Sequence, residues 1–194
     1  YRDHAAELGH AVPAEPLVFL KPPSALLPHG GVIRLPAESR RVDYEGELGV
    51  VIGRTARNVP ESRALDCVLG YSCVNDVTAR DLQKKDVQFT RAKGFDSFCP
   101  FGPAIAVGLR VDALRVETFV NGERRQSAPV SKMIFGVAAL VSFASRIMTL
   151  LPGDLIATGT PEGVGSLEPG DEVTVSIEGI GRLTNRVEAA PAGL

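Results

Sequence analysis

Ten residues, YEGELGVVIG from Tyr44 to Gly53, constrain the fold of this chain more than any other stretch. The apolar run from Leu48 to Ile52 predicts a strand that enters a hydrophobic core. Glu45 and Glu47 stand two residues apart, and side chains at i and i+2 leave a strand on the same face. Two adjacent carboxylates that enter a core need a positive partner. The stretch therefore predicts a bound cation or, if the strand lies at an exposed edge, two solvated glutamates.

Length and composition favour one globular domain with a hydrophobic core. The chain has 194 residues, of which 44% are hydrophobic and 23% are charged, and its net charge is -2. No basic run stands out, so we expect no nucleic-acid partner. The longest apolar runs are too short to span a bilayer, so we expect no membrane partner either. Three cysteines, without a CxxC pair, predict reduced thiols in a cytoplasmic protein.

Short strands separated by turns predict an α+β fold with more strand than helix. Strands are predicted at Leu17 to Leu20, at Arg41 to Arg54 (one strand, or two that meet near Gly49), at Tyr71 to Val74, Phe101 to Val107, Leu114 to Val120 and Val173 to Ile177. Helices are predicted at residues 1–11 with an end at Gly9, at Ala64 to Leu69, Thr78 to Lys84 and Met133 to Met148. The pair Asn121-Gly122 predicts a hairpin.

The segment VNDVTARDLQ offers a third ligand for the cation. Asp76, Arg80 and Gln83 stand at i, i+4 and i+7, which is one face if the segment is helical. A carboxylate oxygen suits Mg²⁺, and a guanidinium suits bidentate recognition of a carboxylate. The alternatives are that Asp76 caps the helix and that Arg80 forms an internal salt bridge.

Three more groups could take part in catalysis or substrate binding, and each also has a structural interpretation without function. Lys93 lies in the aromatic stretch RAKGFDSFCP, where it could neutralise an anionic substrate or be a solvated surface lysine. Thr160 lies in LIATGTPEGVG, which lacks the P-loop pattern but could bind a carboxylate or be a plain turn. His4 and Glu7 face the same way on the first predicted helix, so Glu7 could hold the imidazole as a base; such pairs are also common on helix surfaces.

The order of these motifs resembles the fumarylacetoacetate hydrolase family. They are YxxHxxE, YEGELGVVIG, GYSCVNDVTARDLQ, RAKGFDSFCPFGP, SKMIFG and LIATGTPEGVG, from Tyr1 to about Val187. The resemblance implies a mixed β-roll or β-sandwich with short peripheral helices. Residues 1–11 are then expected to form a mobile lid helix and residues 12–190 the catalytic domain, without the small N-terminal domain of many members. It also implies a homodimer.

The resemblance implies a role for each candidate residue. The expected ligands of Mg²⁺ or Mn²⁺ are Glu45, Glu47 and Asp76. The expected catalytic residues are His4, Glu7 and Lys93, and the expected substrate-binding residues are Arg80, Gln83, Lys93 and Thr160. Lys93 is expected to contact an oxyanion and carboxylate of a small 2-oxo or diketo acid, and Thr160 its carboxylate.

The implied reaction is hydrolysis of an acylpyruvate or β-diketo acid, in which a C–C bond breaks through an enolate that the metal stabilises. A water activated by the His4–Glu7 pair favours this reaction. The alternative is isomerisation or decarboxylation of a 2-hydroxyhepta-2,4-dienedioate or oxaloacetate-type 2-oxo acid in aromatic-compound degradation, because these reactions pass through the same enolate. A non-catalytic scaffold would have lost the ligands, and all of them are present.

Overall fold

The computed structural model describes residues 1–7, 9 and 11–191, and it is built mainly of strands. The strands are β1 (Leu26–Leu27), β2 (Val32–Leu35), β3 (Val42–Tyr44), β4 (Gly46–Ile52), β5 (Val68–Asn75), β6 (Thr78–Ala79), β7 (Cys99–Ala106), β8 (Arg115–Val120), β9 (Glu123–Pro129), β10 (Leu155–Ala157), β11 (Gly165–Ser166), β12 (Glu172–Ile177) and β13 (Gly181–Ala189). The α-helices are α1 (Arg2–Glu7), α2 (Glu61–Ala64), α3 (Arg80–Lys85), α4 (Thr90–Lys93) and α5 (Val137–Ile147). The predicted strand-rich α+β class is confirmed.

The strands form two five-stranded sheets and one three-stranded sheet. The orders are β1-β7-β5-β4-β10, β2-β13-β12-β8-β9 and β11-β3-β6. The two large sheets are mixed, because β1 pairs with β7 and β2 with β13 in parallel while their other pairs are antiparallel; the three-stranded sheet is antiparallel. Leu48 and Cys73 of the first sheet share one core with Val175 and Leu183 of the second and with Val141 of α5. The two large sheets therefore pack through their apolar faces, which is the sandwich arrangement.

A second core supports the turn after β5 and the short helix α4. Val77 in that turn, Ala92 on α4 and Phe98 after it are fully buried together with Val74 and Ile33. This packing fixes the backbone on either side of Asp76 and Lys93, so two of the candidate site residues rest on a rigid base.

The opening stretch forms two strands, but they part at Glu45 and not at Gly49. β3 pairs with β6 and β11, whereas β4 pairs with β5 and β10, so the chain passes from one sheet to another at this residue. The backbone N–H of Glu45 donates to Asn75 Oδ1 at 2.9 Å, and Asp76 N–H donates to the Glu45 carbonyl at 2.8 Å. These two bonds hold Glu45 beside Asp76.

Three predicted elements differ from the structure. Residues 17–20 pair with none of the described strands and so form no strand, and Leu17 and Leu20 remain mostly exposed. The helix predicted at 64–69 ends earlier, since Val68 already pairs with Ile52. The helix predicted from Thr78 begins at Arg80, because residues 78–79 pair with β3.

Other predictions from the sequence are confirmed. Asn121 and Gly122 join β8 to β9 with positive φ angles of 51° and 81°, the pattern of a tight hairpin turn. The helix predicted at 133–148 is present as α5, the longest helix in the described part of the chain, but it begins at Val137. The first helix ends at Glu7, with Gly9 at φ 70°, while Leu8 and His10 of the predicted helix lie outside the described residues. None of the helices described is long and apolar enough to cross a membrane.

Candidate active site

Three buried carboxylates meet where β4 and β5 pair. Glu45 lies at the break between β3 and β4, Glu47 lies on β4, and Asp76 follows the end of β5. Each of them can place one oxygen within 4.8 Å of the others, and each side chain is buried. The predicted convergence is therefore present. Asp76 is not on a helix, however, so the helical face proposed for Asp76, Arg80 and Gln83 is wrong for Asp76, which reaches the cluster through sheet pairing.

Lys93 is a second component of this cluster. Its Nζ atom donates to Asp76 Oδ2 at 2.5 Å and to Glu45 Oε2 at 2.9 Å, and its side chain is only 2% exposed. Burial acts to lower the pKa of Lys93, but the Asp76 and Glu45 carboxylates outweigh it and raise the pKa. The lysine is thus a buried cation and not a solvated one.

Sequence reasoning missed Lys21, which is the second ammonium at the site. Lys21 Nζ donates to Asp76 Oδ1 at 2.6 Å. Burial acts to raise the pKa of Asp76, yet Lys21 and Lys93 outweigh it and the pKa is lowered. The Phe19 ring, 4.9 Å from Lys93 Nζ, belongs to the same proline-rich segment. This segment thus covers the cluster, and no local pattern in it marks Lys21 as a site residue.

Arg80 holds Glu45 in place with all three of its nitrogen atoms engaged. Its Nε donates to Asp43 Oδ2 at 2.9 Å, one terminal nitrogen to Glu45 Oε1 at 2.5 Å and the other to Gln83 Oε1 at 2.7 Å. Asp43 is fully buried and also accepts from Arg41. Arg80 therefore forms an internal salt bridge, and its partners are Asp43 and Glu45. The amide nitrogen of Gln83 remains able to donate to a ligand.

Glu47 is the carboxylate of the cluster that lacks an ammonium partner among the described residues. Its Oε2 accepts from the backbone N–H of Gly159 at 2.7 Å. Burial, with the neighbouring Asp76 and Glu45 charges, raises the pKa of Glu47 to about 8. A divalent cation with oxygen ligands fits this arrangement. It would give Glu47 the cationic partner that it lacks, and the three carboxylates offer it hard oxygen donors. The residues present are thus suited to a divalent metal.

Thr160 connects the GTPEGVG loop to the sheet beneath the cluster. Its hydroxyl donates to the Gly46 carbonyl at 2.9 Å and accepts from Gln126 Nε2 at 2.8 Å. Gln126 Oε1 in turn accepts from Gly46 N–H at 3.0 Å. The hydroxyl proton is therefore committed to Gly46 in this structure, and Thr160 would have to release that bond in order to donate to a substrate carboxylate.

The helix α1 is docked over the loop that carries Thr160. His4 Nδ1 lies 3.3 Å from Glu7 Oε2, and both Glu7 oxygens accept from Gly163 N–H at 3.1 and 3.2 Å. Glycine is required at 163, because φ is 95° and a Cβ atom would collide with the Arg125 carbonyl. Asp3 pairs with Lys132 at 3.6 Å at the other end of the helix.

The imidazole of His4 is largely buried and is influenced by charges of the carboxylate cluster. Burial lowers the pKa of His4; the charges of Glu45 and Glu7 oppose this shift, and that of Arg80 adds to it. Because Glu45 and Arg80 affect the pKa of His4, the ring lies within electrostatic range of the cluster. His4 is therefore neutral at neutral pH, and when Nδ1 donates to Glu7, Nε2 is the basic nitrogen.

Comparisons with known proteins agree on one family. The model of the fumarylacetoacetate (FAA) hydrolase C-terminal family matches residues 1–188. A mitochondrial oxaloacetate tautomerase of Rattus norvegicus is 43% identical over 97% of this chain and 88% of its own length. The structure of a 2-hydroxyhepta-2,4-diene-1,7-dioate isomerase from Mycobacterium marinum is 52% identical, with a TM-score of 0.90, over 92% of this chain and 71% of that one. A fumarylpyruvate hydrolase from Pseudomonas aeruginosa in complex with Mn²⁺ and pyruvate is 34% identical, with a TM-score of 0.89, over 98% and 86%.

Proposed function

Because the chain belongs to the fumarylacetoacetate hydrolase family, whose members are enzymes, we propose that it is a divalent-metal-dependent isomerase of 2-oxo acids. The reaction would move a proton between the keto and enol forms of an oxaloacetate-type or hydroxyheptadienedioate-type diacid. The hydrolase reading, which the sequence placed first, has weaker support. The isomerase and tautomerase relatives are 52% and 43% identical to the chain, and two relatives named as hydrolases are 46% and 34% identical.

The observation that carries this proposal is the His4–Glu7 pair, whose imidazole is neutral and within electrostatic range of the buried cluster. Isomerisation needs a base that removes a proton from the carbon next to the keto group. His4 Nε2 is suited to this step, because Glu7 fixes the ring through Nδ1 and the lowered pKa keeps the base unprotonated. The proton taken from carbon is delivered to the oxygen of the resulting enolate, which gives the enol, so the substrate is neither oxidised nor cleaved.

The negative charge that develops on the substrate oxygen needs stabilisation. A bound Mg²⁺ or Mn²⁺ at Glu45, Glu47 and Asp76 would supply Lewis acidity there. Lys93 uses two of its three N–H donors on Asp76 and Glu45, so one remains for a substrate oxygen. The amide nitrogen of Gln83 is a second donor. The carbonyl oxygen of the same amide accepts from the buried guanidinium of Arg80.

A comparison of three reactions with one enzyme preparation tests the proposal. Disappearance of the enol form of oxaloacetate is followed by ultraviolet absorbance, decarboxylation by CO₂ release, and acylpyruvate hydrolysis by coupled detection of pyruvate. We expect enol–keto conversion to be the fastest reaction, and to be lost on treatment with EDTA and restored by Mn²⁺. Hydrolysis of an acylpyruvate faster than tautomerisation would overturn the proposal in favour of the hydrolase.

The His4→Ala variant separates the two reactions further. If the imidazole moves the proton, tautomerisation should fall by about 10²–10⁴-fold. If the imidazole serves only to activate water, hydrolysis should fall by that factor while tautomerisation persists. Lys84→Met, an exposed lysine on α3, is the matched control and should leave both rates unchanged.

A further inference from the structure

The side-chain amide of Gln126 joins strand β4 to the GTPEGVG loop. Gln126 lies on β9 of the other large sheet and is only 1% exposed. Its Oε1 accepts from Gly46 N–H at 3.0 Å. Its Nε2 donates to Thr160 Oγ1 and to the Pro161 carbonyl, both at 2.8 Å. The amide therefore uses its acceptor and both of its N–H donors, all on buried partners of β4 and the loop.

These contacts are part of a closed ring of hydrogen bonds. Gly46 N–H donates to Gln126, Gln126 donates to Thr160, and the Thr160 hydroxyl donates back to the Gly46 carbonyl at 2.9 Å. A backbone N–H needs an acceptor and a carbonyl needs a donor, so only one orientation of the amide satisfies both sides. Glycine at 46 permits the close approach of the two sheets, because a Cβ atom there would collide with the Thr118 hydroxyl of β8.

The loop held by this ring contacts both parts of the candidate active site. Residues 159–164 pair with none of the described strands, so side chains decide where the loop lies. Gly159 N–H donates to Glu47 of the carboxylate cluster at 2.7 Å. Gly163 N–H donates to both oxygens of Glu7 on α1, at 3.1 and 3.2 Å. The position of the loop therefore affects how α1 is docked.

The two sides of the Gln126 contact differ in how firmly they are held. β4 pairs with β5 on one side and with β10 on the other. The loop depends instead on single contacts, such as that of the Tyr44 hydroxyl, which donates to the Gly163 carbonyl at 2.9 Å. Loss of the Gln126 amide should therefore displace the loop, and α1 with it, while the carboxylates of β4 stay in place.

We propose that Gln126 is a positioning residue, which holds the GTPEGVG loop where Gly163 can anchor Glu7. Through Glu7, the loop keeps the His4 imidazole aligned for proton transfer. This inference rests on the proposed function, since that function assigns the base to His4. Gln126 acts through the loop and not on the substrate, because its amide is buried and all of its contacts are with the protein.

Kinetics of a near-isosteric variant test this inference. Gln126→Met keeps the length of the side chain and removes the amide. We expect kcat for oxaloacetate tautomerisation to fall by about 10²-fold, the loss typical of a catalytic group misplaced by about 1 Å, while KM and Mn²⁺ affinity change much less. A kcat equal to that of wild type, or a loss of Mn²⁺ affinity as large as the loss in kcat, would overturn the inference.

Two further variants separate positioning from a loss of stability. Thr174→Val removes a buried hydroxyl that bonds to Thr184 within the same large sheet, so it should lower the Tm and leave kcat unchanged. Gln126→Asn keeps an amide but is one methylene too short to reach β4 and the loop together. It should also lower kcat with little change in KM, and it decides the question if Gln126→Met does not fold.

A double-mutant cycle with Glu7→Ala tests the route of the effect. Without the Glu7 carboxylate the loop no longer anchors α1, so Gln126→Met should lower kcat little further in the Glu7→Ala background. If the two substitutions lower kcat by independent factors that multiply in the double variant, Gln126 acts by another route and the inference is wrong.

Hydrogen exchange followed by mass spectrometry gives a readout that does not depend on activity. In Gln126→Met with Mn²⁺ present, we expect faster exchange in the peptides that contain α1 and residues 158–166, and unchanged exchange over residues 47–52 of β4. Unchanged exchange in both α1 and the loop would overturn the inference. If wild type has no tautomerase activity but exchange responds as expected, the proposed function fails, whereas the coupling of the loop to α1 through Gln126 stands.

Discussion

Replacement of Lys93 by methionine tests how the carboxylate cluster is neutralised. Methionine keeps the apolar stem beside Phe19 but removes the ammonium that donates to Asp76 and Glu45. The side chain is 2% exposed, so water cannot replace the lost charge without rearrangement. Removal of one partner from a buried ion pair typically lowers stability by about 3–5 kcal/mol. For a chain of this length that corresponds to a decrease in Tm of roughly 6–20 °C.

The same reasoning predicts that a divalent ion restores the lost stability. Mn²⁺ would supply positive charge to Asp76 and Glu45, which keep Lys21 and Arg80 but each lose one cationic partner in Lys93→Met. We therefore expect Mn²⁺ to raise the Tm of Lys93→Met by more than it raises the Tm of wild type. The assay is thermal unfolding followed by circular dichroism at one pH, with EDTA and with Mn²⁺.

Two controls make the outcome decisive. Lys84→Met removes an exposed lysine and should change the Tm little in either condition. Asp76→Asn in the Lys93→Met background removes the charge of one of these two carboxylates, so in EDTA it should recover part of the lost Tm. A Lys93→Met protein as stable as wild type in EDTA, or one that gains no more than wild type from Mn²⁺, would refute the account of the cluster.

Three other predictions concern the base, the loop and the assembly. Because burial lowers the pKa of His4 from its ordinary 6.5 and the neutral ring is the active form, kcat/KM should fall with decreasing pH only below that value; an acid limb above it would contradict the assignment. Thr160→Val removes the hydroxyl that donates to the Gly46 carbonyl, so it should lower the free energy of unfolding by about 1–3 kcal/mol in the absence of ligand. A change in KM alone would instead favour a threonine that only binds substrate. Light scattering should give twice the 20.6 kDa chain mass, because 66%-exposed Leu17 needs cover; a monomer at micromolar concentration would exclude the homodimer.

The sequence predicts best those features that depend on neighbouring residues. The Asn121-Gly122 hairpin and α5 follow from local turn chemistry and from a long apolar pattern, and both are present in the structure. The convergence of Glu45, Glu47 and Asp76 was also predictable, because unpaired carboxylates in an apolar strand demand partners.

Features that depend on long-range pairing could not be predicted in this way. The chain breaks at Glu45 because β3 and β4 join different sheets, and that choice depends on partners more than 20 residues away. Lys21 reaches Asp76 across 55 residues, from a proline-rich segment without a recognisable pattern.

The most direct test of the account is a Mn²⁺ titration of the metal-free protein by calorimetry. We compare wild type with Glu47→Gln, which keeps the size of the side chain and removes its charge, and with Glu172→Gln, which changes an exposed glutamate on β12. The account predicts one ion per chain in wild type and in Glu172→Gln, and a loss of measurable binding in Glu47→Gln, with the fold retained by circular dichroism. Unchanged Mn²⁺ affinity in Glu47→Gln would contradict the assignment of the metal site and, with it, the proposed chemistry.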